Sequence, residues 1–393
     1  MRKLYLFAVF FVLYEFTTYS ANDMIMPGML AVVNEFHAPL SYVAASLSLY
    51  MLGECAIQLW LGPLAERYGK RQIILLGSFS FIIFTIIIAA SSNISQFMLG
   101  RWLQGSGMAF IAMGYAIIHE KFDDKSAVKV IAIMGNVTIM APLIGPLIGG
   151  VIVSYASWHY IFALTGILGF IALCGLYRYT PTSTPQLKKL ELKPILKHYV
   201  EIAKSKNYAL GVSCTLMGAM PLLIWIGLAP NLILHHLQLS YKSYIIYQII
   251  ALGGLALSSI LMQFLAGRWQ FHQLIRRGCY LAFAGVLFSF IFSSSIELIA
   301  LGLFFYSIGL GFTNGSIIRI IMSNTKLSQS MAASLMTFSQ TLFFALGIQF
   351  SDALCKQFDY SGFSFTLCCL ISASISLILT RKFAARMTER KWQ

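Results

Sequence analysis

Four ionisable side chains, Glu15, Asp23, Glu54 and Arg101, stand inside runs of apolar residues long enough to cross a bilayer. A charge at mid-membrane costs at least about 2.5 kcal/mol on insertion scales, so such residues are functional candidates by default. A carboxyl in an apolar site without a cation resists ionisation, and Glu15 or Glu54 could then take up and release a proton in the physiological range. The chemistry open to this set is proton exchange and the binding of cations. All four residues fall in the first half of the chain. In the second half only Arg319 compares, and it is expected at a helix end where it can snorkel.

Spacing orders these groups by depth. Glu15, Tyr19, Asn22 and Asp23 fall at i, i+4, i+7 and i+8, so a helix places them on one stripe, which should line a cavity. Eight residues separate the two acids by about 12 Å along the axis. Glu15 is expected near the middle of the membrane and Asp23 further out. Arg101 lies about five residues into its own run, at the depth of Asp23. A buried guanidinium needs an anion or several acceptors, so Arg101 is expected to pair with Asp23 in one conformation, helped by Gln104 one turn away. The alternative is a permanent structural ion pair. Glu54 matches the depth of Glu15, and its alternative role is a protonated carboxyl hydrogen-bonded between helices.

The elements that must hold these groups follow from composition. Of 393 residues, 58% are hydrophobic and 11% charged, and the mean hydropathy is +0.76. That balance excludes an ordinary soluble enzyme. Apolar runs lie near 4–26, 41–63, 72–90, 96–117, 127–153 and 158–177, then near 207–233, 241–265, 274–293, 298–318, 329–350 and 360–380. At about 20 residues per crossing, twelve crossings need roughly 240 residues. The runs are too long for barrel strands, so an all-α membrane protein of twelve transmembrane helices in two six-helix bundles is predicted. The bundles are assigned to 1–178 and 207–393, joined by a Pro- and Lys-rich linker, 179–206. Two such halves suit a carrier with its site at the midplane.

The net charge of +14 is no sign of nucleic-acid binding, because the bases sit between apolar runs. With the N-terminus inside, 25 of the 28 Lys and Arg residues fall in cytoplasmic segments and Lys242 and Lys356 outside. The positive-inside rule then puts both termini in the cytoplasm. Arg2 and Lys3 before an apolar run suggest a secretory signal, but Glu15 and the lack of an A-x-A-like site predict a retained helix. The seven cysteines are scattered, and no metal-ligand spacing appears, so no metal is expected. Gly62–Arg71 departs from a phosphate loop in spacing, and Arg71 stands where Ser or Thr must bind magnesium. No cofactor is therefore expected. Met217, Trp225 and Tyr247, with Met220, Pro221, Tyr244 and Gln248, could form an adaptable apolar wall, although packing accounts for the same residue types.

Three motifs carry a resemblance. The run Gly62-Pro63-Leu64-Ala65-Glu66-Arg67-Tyr68-Gly69-Lys70-Arg71 resembles the signature loop of the major facilitator superfamily. Its glycines are expected to allow close helix approach, and Glu66 and Arg67 to form ion pairs and meet helix ends as a latch. Glu66 replaces the usual Asp. Arg101-Trp102-Leu103-Gln104-Gly105-Ser106-Gly107 is similar to the fourth-helix motif, in which an intramembrane arginine is tied to proton coupling. The stretch Ala141-Pro142-Leu143-Ile144-Gly145-Pro146-Leu147-Ile148-Gly149-Gly150 is similar to the fifth-helix motif of the antiporters. There Ala141, Gly145 and Gly149 should offer a smooth face to another helix, and Pro142 and Pro146 set a bend.

The opening run, Leu13-Tyr14-Glu15-Phe16-Thr17-Thr18-Tyr19 followed by Asn22-Asp23-Met24-Ile25 and Pro27-Gly28-Met29-Leu30-Ala31-Val32-Val33, resembles the first helix of MdfA-type multidrug/proton antiporters. The resemblance implies that Glu15 and Asp23 handle protons and cationic drugs, that Arg101 is the conformational switch, and that Tyr19 and Asn22 line the pocket. Glu54 departs from it, since a small residue is expected there. With three acids and one base, the ionised pocket would carry about −2, which favours lipophilic cations or two bound protons. The expected function is proton-driven export of lipophilic cationic and neutral drugs through a bacterial inner membrane, by a monomer surrounded by membrane lipids. The rivals are a dedicated exporter of one metabolite, such as a siderophore or amino acid, and a non-transporting receptor or scaffold.

Overall fold

The computed structural model describes residues 2–182, 192–265, 269–323 and 329–388. Every regular element in them is helical, and contacts divide the chain into two units, Met1–Leu192 and Lys193–Gln393. The first unit contains α1 (Arg2–Met24), α2 (Met29–Glu35), α3 (Ser41–Gln58), α4 (Leu61–Tyr68), α5 (Lys70–Ala89), α6 (Ile94–Ala109), α7 (Ile111–Lys121), α8 (Asp124–Tyr155) and α9 (His159–Tyr179). The second contains α10 (Leu192–Lys204), α11 (Lys206–Pro230), α12 (Tyr241–Leu265), α13 (Phe271–Ile291), α14 (Ile296–Ser323), α15 (Gln329–Gln357) and α16 (Gly362–Thr388). Part of the expected linker, 183–191, lies outside the described residues, and α10 occupies its end.

Among the described residues nine helices are long and apolar enough to cross a membrane, and two bent pairs raise the number to eleven. Proline explains both bends. The axes of α3 and α4 differ by 51°, and Pro63, four residues past Leu59, lacks the N–H that would continue the helix across the break. Within α8 the bend is 46° after Thr138, four residues before Pro142. The run expected as one span at 96–117 is divided into α6 and α7, of 16 and 11 residues. At the junction the ladder tightens, with the Met113 N–H donating to the Phe110 carbonyl at 3.0 Å.

Each unit is apolar inside and outside, as lipid requires. Phe7, Phe11, Phe81, Ile117 and Leu176 belong to the first core, and Ile202, Tyr208, Ile275, Ile317 and Phe383 to the second. Leu76, Phe79, Ile83 and Ile86, on one stripe of α5, are exposed and would be intolerable in water at that density. Helices approach closely where glycine removes the side chain. A Cβ on Gly53 of α3 would lie 1.8 Å from the Trp102 carbonyl oxygen, and one on Gly105 of α6 would lie 1.9 Å from that of Tyr50. This seam between α3 and α6 fixes Glu54 and Arg101 within one bundle.

Candidate functional site

The helix α1 ends at Met24 because Pro27 follows, in a short 3-10 turn, Met26–Gly28. The last four carbonyls of any helix lack intrahelical donors. Two of them, Ala21 O and Asn22 O, accept from Arg101 at 3.1 and 3.2 Å. The same guanidinium donates to Ser46 Oγ at 3.1 Å and to Gln104 Oε1 at 2.8 Å, and it lies 4.4 Å from the Tyr50 ring centroid. Gln104 Nε2 donates onward to Thr85 Oγ1 at 2.7 Å. Arg101, Gln104, Ser46 and Tyr50 are all fully buried.

The expected Arg101–Asp23 ion pair does not form in this structure. Among the described residues the ion pairs are elsewhere, and the Asp23 carboxylate accepts instead from Asn22 Nδ2 at 3.0 Å. The reason lies in the helix end: its free carbonyls, carrying the negative pole of the helix dipole, satisfy the cation without a carboxylate. Gln104 takes the supporting role expected of it.

Glu15 forms a second, deeper station. Its Oε1 accepts from Tyr115 at 3.2 Å and from Thr138 at 3.4 Å, while Oε2 has no hydrogen-bond partner. Glu54 is likewise buried with an unpartnered Oε2. Tyr19, half-buried, is within electrostatic reach of both glutamates. Neither Tyr115 nor Thr138 is distinguishable in sequence from ordinary helix residues; the nearest signal is that Thr138 precedes Gly145 by two turns on the bent helix.

The two stations lie along one seam. Glu15 meets Thr138, and further along α1 a Cβ on Gly145 would contact the Asp23 Cβ at 3.3 Å. At Gly149 a Cβ would lie 1.8 Å from the Met24 carbonyl oxygen. So the smooth face of α8 expected from Ala141, Gly145 and Gly149 packs on the polar stripe of α1, the helices running parallel, with Pro146 between the two glycine contacts.

Residues 11–350 match the sequence model of the Major Facilitator Superfamily. The chain belongs to the major facilitator superfamily. Its relatives include the multidrug transporter MdfA of Yersinia pestis bv. Antiqua (strain Angola), 34% identical over 394 residues, covering 99% of this chain and 96% of that protein. The multidrug transporter MdfA of Escherichia coli O157:H7 is 35% identical over 356 residues, covering 89% and 87%. Among solved structures, a D-xylose-proton symporter superposes with a TM-score of 0.77 at 14% identity, over 95% of this chain and 97% of that one. A bacterial homologue of the human lysosomal transporter Spinster gives 0.74 at 13%, over 97% of each. The superfamily is one of transporters, not enzymes, and its members require no cofactor.

The superfamily loop departs from expectation in its details. A Cβ on Gly62 would meet nothing within 4 Å, so that glycine allows no close approach; Gly69, at φ 92°, makes the turn between α4 and α5. Among the described residues Lys70, not Glu66 or Arg67, carries the ion pair, to Glu120 at 2.7 Å. Arg71, not Arg67, meets a helix end, donating to the Tyr177 and Thr180 carbonyls of α9 at 2.7 and 3.0 Å. Arg67 lies over the Tyr68 ring.

In the second unit, Trp225 is sealed in the interior, its Nε1 donating to Gln248 Oε1 at 2.7 Å and Gln248 donating to the Tyr244 hydroxyl at 2.7 Å. Tyr247 turns elsewhere, donating to Glu297 in the first turn of α14 at 2.9 Å. Trp225 and Tyr247 therefore do not share one wall; Met217 is half-buried on α11. One acid escaped the sequence reading. Asp352 is buried near the end of α15 and accepts from the Tyr360 hydroxyl at 3.1 Å, so the second half does hold a buried carboxyl. The apolar run was read as stopping at 350, but α15 continues to Gln357.

Proposed function

We propose that the protein is a proton-coupled antiporter that exports lipophilic cationic and neutral compounds from a bacterial cytoplasm by alternating access. The observation that carries this reading is the pair of buried glutamates, Glu15 on the polar stripe of α1 with Asp23 and Glu54 on α3, each with an oxygen that nothing satisfies. An uncompensated carboxylate in such surroundings is costly, so each acid needs either a proton or a cation. Proton and cationic cargo thereby compete for Glu15 and Asp23. The relatives named as multidrug transporters support the substrate class. All three acids are closed to solvent here, so the cycle must open them in turn, with proton release permitting the change of access and reprotonation from outside resetting it.

Arg101 is assigned the conformational role, since it grips the end of α1 that bears Asp23. Glu54 is assigned a share in proton handling, and Tyr19 and Asn22 line the pocket. The protein acts as a monomer in the inner membrane with both termini in the cytoplasm, as its basic residues direct.

The test is binding of tetraphenylphosphonium to the purified protein across pH, with Glu15→Gln, Asp23→Asn and Glu54→Gln beside the wild type. Binding to the wild type weakens as pH falls, because protons displace the cation. Glu15→Gln and Asp23→Asn lose that dependence, and proton-driven export drops by about a hundredfold, the scale of losing a proton-transfer group. Undiminished proton-driven export of every substrate in both variants contradicts the proposal. Export of a single metabolite with no drug transported would favour a dedicated carrier.

A further inference from the structure

A second feature lies apart from the acids, within the second unit. On α13, His272, Arg276, Cys279 and Tyr280 fall at i, i+4, i+7 and i+8, one face of the helix. On α16, Leu377, Thr380, Arg381 and Ala384 fall at i, i+3, i+4 and i+7, again one face. The two faces enclose a cavity of about 300 Å³. Neither its lining nor the ion pairs among the described residues supply Arg276 or Arg381 with a carboxylate. The neighbouring cations are occupied: Arg277 stacks 4.2 Å from the Trp269 ring and Arg319 5.3 Å from that of Phe271. Two guanidinium groups therefore share one cavity that no carboxylate among the described residues lines.

From the cavity, Tyr280, Leu287 and Ile291 continue along the same face of α13 as an exposed apolar row. A basic pocket that opens next to a row suited to hydrocarbon fits an anion with a lipid tail better than a free anion. The arginine forks supply paired N–H donors matched to phosphate oxygens, and the Thr380 hydroxyl adds one more group at the buried wall.

We propose that this cavity seats the phosphodiester head group of an anionic phospholipid, with Arg276 and Arg381 as its clamp and the acyl chains lying along Tyr280, Leu287 and Ile291. The topology proposed above assigns the site to the cytoplasmic leaflet; the binding itself is independent of what the protein transports. A lipid in this position bridges α13 and α16 and steadies their basic ends.

The experiment is native mass spectrometry and thermal melting of the full chain in detergent, with phosphatidylglycerol, phosphatidylethanolamine or inorganic phosphate added. Phosphatidylglycerol binds and raises the melting midpoint, while phosphatidylethanolamine and inorganic phosphate do neither. Arg276→Gln with Arg381→Gln weakens phosphatidylglycerol binding about 30-fold. Replacing both by Lys keeps the charge but not the fork and restores binding only in part, and Arg277→Gln leaves it unchanged. If the double Gln variant does not fold, Arg381→Gln alone, at an exposed position, carries the test with about a fivefold loss. Equal binding of phosphatidylethanolamine, wild-type affinity in the Gln variants, or saturation by inorganic phosphate without lipid overturns the proposal.

Discussion

The two units bury polar groups in opposite ways. In the second, Trp225, Gln248 and Tyr244 form a neutral chain in which each donor finds an acceptor, and Asp352 is held by Tyr360. In the first, Glu15 and Glu54 each keep an oxygen with no partner, and Asn22 keeps its Oδ1 free as well. Satisfied networks rigidify a core, whereas unsatisfied ones await something else. The contrast has one exception, Asn231, buried in the π turn Asn231–His236 with neither amide atom bonded. Even so, among the described residues the carboxyl oxygens left without a partner lie in the first unit.

Five substitutions sharpen that contrast, beginning with the largest effect. Arg101→Lys keeps the charge but loses the planar fork that reaches Ser46, Gln104 and two carbonyls at once. Each buried acceptor left bare costs about 1–3 kcal/mol, so denaturant unfolding should show a stability loss in that range, with export strongly reduced. A lysine that restores both would make Arg101 a simple charge. Gly149→Val drives a side chain into the Met24 carbonyl and should cost about 1–3 kcal/mol by overpacking, seen as a lower melting midpoint. Gly62→Ala, facing open space, should stay within about 0.5 kcal/mol of wild type.

Smaller effects belong to the second unit and the loops. Trp225→Phe removes one hydrogen bond at about 1 kcal/mol and should leave the pH dependence of cation binding intact; a changed dependence would put Trp225 in the proton pathway. Glu120→Gln should cost less than about 0.5 kcal/mol, because the Lys70–Glu120 pair is largely solvated. Its pH dependence has a definite sign. Its hydrogen bond to Lys70 holds the Glu120 carboxyl below its usual 4.5. The pair's contribution is therefore present above that pH and is lost as the pH falls through the lowered value. Melting at pH 7 should separate the variant slightly from wild type, and melting near pH 3 should not.

What the sequence disclosed, and what it hid, follows from physical cause. Arg101 and the acids were legible because charge is rare in apolar runs, and the Ala141, Gly145 and Gly149 face because small residues at helical spacing have few other uses. The partner of that face, the end of α1, was not legible: a contact between helices far apart in sequence leaves no local pattern. The hold on Arg101 in this conformation was hidden for a related reason: its acceptors include the main-chain oxygens of Ala21 and Asn22, which no residue type announces. Asp352 was missed because the fall in hydropathy at the end of a run precedes the end of the helix. Trp225 and Tyr247 were joined by composition alone, and composition does not say which way a ring turns.

The hold of Arg101 on α1 has one further consequence. Backbone carbonyls do not titrate, so this attachment persists whatever the acidity on either side of the membrane. Asp23, one residue beyond those carbonyls, is free to change its charge while the strand of helix beneath it stays fastened. The anchoring carbonyls and the carboxyl proposed to exchange a proton are thus separate atoms of a single turn.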